Sequence, residues 1–257
     1  MFAVVAAAFP TETAMSRFAS GFLGVLFFAG LASAQDQPKD VLQKAIKAHG
    51  GEANLKKFPA GLSKIAGVVV EPKLPFTGSV AFSVPDKVRV EMTFEFEGKK
   101  ANSVQIVNGR KVSQTENGEA SKLSDATVAE LRESGAIQEL SLLYPLLEAK
   151  YTLAAGKDAT IDGKDCATIV VKSAALKETT LAFDKKSGHL TAMLRKGLNP
   201  VQKVVDERTV FSEFKTIEGL VVPMKSVVSH DGRAFLEITV TEYKPMAKLN
   251  DKLFLVE

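Results

Sequence analysis

Lys87 to Phe96 reads Lys-Val-Arg-Val-Glu-Met-Thr-Phe-Glu-Phe, changing from polar to apolar at every step. Side chains of a strand point to opposite faces with a period of two. Val88, Val90, Met92, Phe94 and Phe96 therefore share one face, and Lys87, Arg89, Glu91, Thr93 and Glu95 share the other. The stretch is a long strand, apolar on one side and wet on the other. Just before it, Pro85-Asp86 makes a turn. Residues 78–84 form the preceding strand, with Val80, Phe82 and Val84 in alternation, and residues 62–70 form the one before that.

Toward the C-terminus the pattern repeats. Residues 103–107 and 111–115 flank Asn108-Gly109, a strong hairpin signal. Further strands are expected at 151–155, 166–172, 178–183, 190–195, 204–214, 220–228 and 234–243. Glycine sits in most of the turns between them, as in Asp162-Gly163, Ser187-Gly188, Glu218-Gly219 and Asp231-Gly232. The chain is thus mainly β, about eleven or twelve antiparallel strands in sequential order, with no repeat of fixed period.

Helices are few. Residues 40–48 carry Val41, Leu42, Ala45 and Ile46 on one side and end at His49-Gly50-Gly51, glycine being a common way out of a helix. Residues 124–148 form the one long helical insertion. Ser124 or Asp125 can cap it, Val128 and Leu131 form a stripe, and Gly135 is expected to break it. A second piece carries Ile137, Leu140, Leu143, Tyr144 and Leu147, and Pro145 is expected to kink or shorten it. With so little helix, the apolar sheet face must curl onto itself or receive something apolar. It is either a core or a container.

The 257-residue chain opens with an export signal. Met15-Ser16-Arg17 is a basic n-region, residues 18–31 an apolar h-region, and Ala32-Ser33-Ala34 a small-residue cleavage site. Residues 1–34 are read as a signal peptide with the true start at Met15, and residues 35–257 as one domain, periplasmic or secreted. The net charge is only +3 and the charges are interspersed, which excludes nucleic acid as a partner. Cys166 is the single cysteine, so no intramolecular disulfide forms. It reads as a small apolar filler in a buried strand.

The residue types that carry catalysis are scattered. His49, His189 and His230 lie far apart in sequence, and no His-Glu-x-x-His, Cys-x-x-Cys or calcium-loop spacing occurs. No phosphate-binding glycine loop or Gly-x-Ser-x-Gly is present. Asp184 with Asp206 or Glu213 is the one acid/base pairing worth naming, and carboxylates are common on solvated strand faces. The expectation is no enzyme, no metal and no cofactor.

The order of these segments resembles the LolA-like superfamily of bacterial periplasmic proteins. The resemblance rests on Phe82-Ser83-Val84-Pro85-Asp86-Lys87-Val88-Arg89 as a strand–Pro–strand corner and on Val107-Asn108-Gly109-Arg110-Lys111-Val112 as the next hairpin. Residues 181–190 (Leu-Ala-Phe-Asp-Lys-Lys-Ser-Gly-His-Leu) look like a late hairpin. Residues 211–215 with Gly219-Leu220-Val221-Val222-Pro223 look like the penultimate strands. The resemblance implies a half-open antiparallel β-barrel with a helical lid or plug, holding acyl chains of lipoproteins or other lipids. In the lipoprotein carrier of that superfamily an arginine before the corner proline helps the lid close. Here that position is Val84, which cannot make the polar contact.

The leading expectation is an exported, non-catalytic protein that binds lipid or another hydrophobic ligand. Val80, Phe82, Val88, Val90, Met92, Phe94 and Phe96 would line the concave face as the pocket. Leu140, Leu143, Tyr144 and Leu147 would lie over it as the lid. A lipid or acyl chain is the expected ligand, with a membrane surface or membrane protein as a further partner. The rival expectation is a sensor or scaffold with a filled barrel that binds a protein partner.

Overall fold

The structure is a computed structural model, and it describes residues 37–256. The segment read as a signal peptide lies outside the described residues. Helix α1 (Pro38–Ala48) starts with proline in its first turn and buries Val41, Leu42, Ala45 and Ile46. Gly50 and Gly51, both with positive φ, turn the chain into the short helix α2 (Glu52–Lys57), which the sequence reading missed.

Fourteen strands follow: β1 (Ala60–Val69), β2 (Leu74–Ser83), β3 (Lys87–Phe96), β4 (Lys99–Asn108), β5 (Lys111–Glu116), β6 (Glu119–Ala120), β7 (Thr152–Ala155), β8 (Ala159–Ile161), β9 (Lys164–Ser173), β10 (Leu176–Asp184), β11 (Leu190–Leu198), β12 (Val204–Ile217), β13 (Leu220–His230) and β14 (Arg233–Met246). They form one antiparallel sheet in the order β6-β5-β4-β3-β2-β1-β14-β13-β12-β11-β10-β9-β7, with β8 also on β9. Consecutive strands pair except β6 with β7, the two outer strands, and β7 with β8; the non-sequential pairings are β1 with β14 and β7 with β9. The first strand thus pairs with the last, from Ala60↔Met246 to Val69↔Leu236, in the middle of the sheet. The two outer strands do not pair with each other, so the sheet stays open as a half-barrel. The two strands unforeseen from sequence, β6 and β8, are only two and three residues long, too short for alternation to register.

Alternation decides which face is covered. Leu220, Val222, Met224, Ser226 and Val228 of β13 are all buried, with half-buried residues between them. They join one large core with α1 and the long helix α3 (Asp125–Leu140). On the opposite face, Ala60, Ala81 and Ile106 are covered by Leu249 and Phe254 from the C-terminal segment. Lys87 Nζ meets Asp251 Oδ1 at 2.8 Å and Asn108 Nδ2 donates to the Phe254 carbonyl at 3.0 Å, which fixes that segment in place. Cys166 is fully buried in a third small cluster with Ile161, Ala182 and Ala192.

Helix α3 corrects one expectation. Gly135 does not break it, and the helix runs unbroken from Asp125 to Leu140. Gly135 instead allows close approach to the sheet: a Cβ there would stand 3.1 Å from Val107 Cγ1. Packing against β4 compensates for the poor helix propensity of glycine. Ser124 is the cap, its Oγ accepting from the Thr127 backbone N–H at 3.2 Å. After α3 a single 3-10 turn, Tyr144–Leu147, holds Pro145 near its start.

Candidate functional site

The covered face lies beneath α1 on one side and α3 with its 3-10 turn on the other. Val80, Phe82, Val88, Val90 and Met92 are buried in the same cluster as Leu140 and Leu143, and Phe94 and Tyr144 pack half-buried at its edge. Phe96 and Leu147 stand apart, 60% and 41% exposed. The pairing of β2 with β3 ends at Phe76↔Phe94, so Phe96 extends past β2 into solvent. Between Leu55, Leu142, Leu190, Phe211, Leu220 and Tyr243 lies a cavity of about 30 Å³, large enough for ordered water and too small for an acyl chain. A larger cavity of about 510 Å³ opens at the hairpin ends, lined by Asn199, Val205, His230, Arg233 and Phe235 among others.

The lid helix is not a greasy plug. Its buried residues include Thr127, Glu130, Glu133, Ser134, Gln138 and Glu139 beside Leu131, Ile137 and Leu140. Buried carboxylates need partners, and they find them on the sheet. Arg195 of β11, the only buried Arg or Lys among the described residues, points up beneath α3. Its Nη2 lies 2.5 Å from Glu130 Oε1 and its Nη1 3.9 Å from Glu133 Oε2. Its Nε donates to Glu207 Oε1 of β12 at 2.8 Å. Lys177 of β10 adds a second cation from the rim, with Nζ 3.0 Å from Glu133 Oε2 and 3.7 Å from Glu130 Oε2. Its backbone N–H donates to Glu133 Oε1 at 3.0 Å.

Burial works against the Arg195 charge. The attraction of Glu207 and Glu130, with their hydrogen bonds, outweighs it and holds the guanidinium's pKa above its usual value. For Glu207 burial again favours the neutral form, but the bonds from His230 and Arg195 win and depress its pKa. His230 completes the chain, its Nε2 3.6 Å from Glu207 Oε2 and its ring stacked on Phe235 at 4.4 Å. At the far end of the lid Glu139 is held by Lys150 at 2.7 Å and by the Tyr151 hydroxyl at 2.7 Å.

Sequence reasoning missed this cluster. Its one local signal was period two: Arg195 shares a face with Met193, both buried under the lid. The carboxylates proposed from sequence, Asp184 with Asp206 or Glu213, do not belong to it. Asp184 instead accepts turn bonds from the Lys186 and Ser187 backbone N–H groups, and Asp206 pairs with exposed Lys196.

The fold does bring together two histidines that are distant in sequence. His49 and His189 have ring centroids 5.5 Å apart. Both His49 ring nitrogens are already used: Nδ1 donates to the Val221 carbonyl at 2.8 Å, and Nε2 accepts from the Leu190 N–H at 3.0 Å. That is a neutral ring stapling the end of α1 to β11 and β13. Among the described residues no group of three or more His, Cys, Asp or Glu is placed to hold a metal ion.

The fold is that of LolA superfamily proteins, and the likeness extends over most of the chain. A DUF1329 family protein from Desulfovibrio piger superposes with a TM-score of 0.55 at 11% identity, covering 86% of this chain and 98% of its own. A LolA superfamily protein from Nitrosomonas europaea gives 0.54 at 11% identity, with the same coverage of 86% and 98%. An outer membrane lipoprotein-sorting protein domain from Vibrio parahaemolyticus gives 0.50 at 10% identity over 84% of this chain and 94% of its own. At such identities the likeness establishes the fold alone. No family model and no curated protein sequence matches this chain.

Proposed function

We propose that this chain is an exported, non-catalytic binding protein that takes the apolar chain of a lipid between its lid and the covered sheet face. The observation that carries the reading is the construction of the cover. An open sheet presents an apolar face, and separate helices lie on it through side chains that are apolar in the middle and ion-paired at one border. A lid fastened in this way can part from the sheet without unfolding it. Val80, Phe82, Val88, Val90, Met92 and Phe94 then become pocket lining. Affinity comes mainly from apolar ligand surface removed from water, about 25 cal/mol per Å². Because Leu140 and Leu143 are buried in the same cluster as these residues, the ligand takes their place by displacing the lid.

The fold's likeness to a lipoprotein-sorting domain and the signal-like N-terminus support a periplasmic site of action. The burial of Val80, Phe82, Val88, Val90 and Met92 beneath the helices favours one other reading, a filled barrel that binds a protein partner.

Mass spectrometry of an organic extract separates the two, using protein purified natively from the exported fraction beside Phe94→Asp. Phe94 lies half-buried at the edge of the core, 5.8 Å from the Phe76 ring, so the variant is expected to stay folded at a cost of about 1–3 kcal/mol. A stoichiometric lipid in the wild type that is lost from the folded variant is the expected result. A clean extract from folded protein that also ignores added lipid would end the carrier reading and leave the protein-partner one.

A further inference from the structure

The lid sets two carboxylates, Glu130 and Glu133, on a patch of sheet that holds Arg195 and Lys177 against a single carboxylate, Glu207. With the lid lifted, the sheet side keeps two cations and one anion, beside the buried hydroxyl of Thr179 opposite Arg195 and in a face that is apolar farther away. The closed pairing is also imperfect. Glu130 Oε1 is taken by Arg195 Nη2, but Arg195 Nη1 is buried with its nearest carboxylate oxygen, Glu133 Oε2, 3.9 Å away and makes no hydrogen bond, and a buried polar atom in that condition is costly. A planar guanidinium can offer two parallel N–H groups to an oxyanion, and here Nη1 is left unused. The patch borders the cavity of about 510 Å³ at the hairpin ends through His230, which lines that cavity and reaches Glu207. A headgroup at Arg195 would therefore sit near an opening, with its chain running along the apolar face.

Resting on the lipid-binding reading above, we infer that Arg195, assisted by Lys177, is the headgroup site for an amphiphile bearing an anionic oxygen group, carboxylate or phosphate. Glu130 and Glu133 occupy that site in the closed form, and ligand and lid compete for one guanidinium. Binding an anionic chain thus also removes the lid's fastening. A neutral amphiphile gains the apolar contacts but leaves Arg195 with only Glu207.

The test is titration at pH 8 with dodecanoate, dodecyl phosphate and dodecanol, all below micellar concentrations, with acetate and inorganic phosphate as chain-less competitors. Wild type is expected to bind both anionic amphiphiles at least tenfold more tightly than dodecanol, a difference of about 1.4 kcal/mol. Acetate and inorganic phosphate are expected not to displace them. Replacing Arg195 alone strands buried carboxylates, so the preference is measured in Glu130→Gln/Arg195→Gln against Glu130→Gln. The preference is read as the ratio of anionic to dodecanol affinity within each protein, which cancels any change in lid opening, and it should fall to near unity in the double variant. If the double variant does not fold, Arg195→Lys serves instead, and the preference should still fall several-fold because the fork is lost.

A preference that survives either substitution, or a wild type that binds dodecanol as tightly as dodecanoate, overturns the headgroup assignment while the lipid-binding reading stands. Displacement by acetate or inorganic phosphate alone also overturns it, in favour of a simple anion site. A wild type that binds none of the three amphiphiles removes the lipid-binding reading itself.

Discussion

Arg195 Nη2 lies 2.5 Å from Glu130 Oε1 across the join between sheet and lid, and both side chains are almost wholly withdrawn from solvent. Removing one member of a buried pair leaves the other charged and uncompensated, which costs more than the pair itself contributes. Arg195→Met is therefore expected to lower stability by about 3–5 kcal/mol. Arg195→Met/Glu130→Leu should recover much of that loss, because one unpaired carboxylate disappears and an apolar contact replaces the pair. Urea unfolding of the two single variants and the double variant measures the coupling. Strictly additive losses would show that the two side chains do not act together.

Two glycines on β1 carry the aromatic rings of β2. Gly61 pairs with Phe82 and Gly67 with Phe76. A Cβ on Gly61 would meet Phe82 Cε1 at 2.7 Å and Tyr243 Cε2 at 2.9 Å, and one on Gly67 would meet Phe76 Cζ at 2.5 Å. The bare backbone gives these rings room to lie across the neighbouring strand. Alanine normally improves on glycine inside a strand, but here Gly61→Ala is expected to destabilise by about 1–3 kcal/mol through overpacking. Thermal unfolding measures it, and an unchanged or raised midpoint would refute the packing argument.

The strands were legible because their signal is local. The alternation over Lys87–Phe96 fixes which side chains share a face, and the turn residues Asn108-Gly109 and Asp231-Gly232 mark hairpins without reference to the rest of the chain. Phe96 shows where alternation stops being enough, since period two places it with Phe94 and only the length of β2 decides that it is uncovered. Gly135 was misread for a related reason. Propensity marks glycine as a break, and the contact with Val107 that makes it useful is invisible in the helix's own sequence. The Arg195 cluster was the least legible part. Its carboxylates come from a helix more than sixty residues upstream and from the next strand, so no spacing rule joins them. An inward-facing arginine was the only trace.

His49 gives the protein a stability that depends on pH. Burial lowers its pKa from 6.5 to about 4, with the Val221 hydrogen bond opposing and His189 adding a little. In the unfolded chain the ring takes a proton near 6.5, whereas in the folded protein it stays neutral until about 4. Its contribution is therefore complete above pH 6.5 and is lost progressively as pH falls toward 4, by up to about 3 kcal/mol at 1.36 kcal/mol per unit. His49→Gln should flatten the urea-unfolding free energy over that window relative to wild type. An equally steep profile in the variant would assign the pH dependence to other groups.

If ligand enters by lifting α3 from the sheet, a covalent tie between the two should stop it. A Cβ built on Gly135 would stand 3.6 Å from Val107 Cβ, within the span of about 3.5–4.5 Å that a disulfide requires. Gly135→Cys/Val107→Cys is therefore expected to close a bond between α3 and β4 on oxidation. Cys166 is fully buried in a separate cluster and does not compete for either thiol. Oxidised protein should take up dodecanoate at least tenfold more slowly than the same protein reduced with dithiothreitol, and amide exchange in α3 should slow alongside. Reduction restores both if the tie alone is responsible. Equal uptake in the two states, with the disulfide verified by mass, would mean that the lid stays shut and that ligand reaches the apolar face past an outer strand.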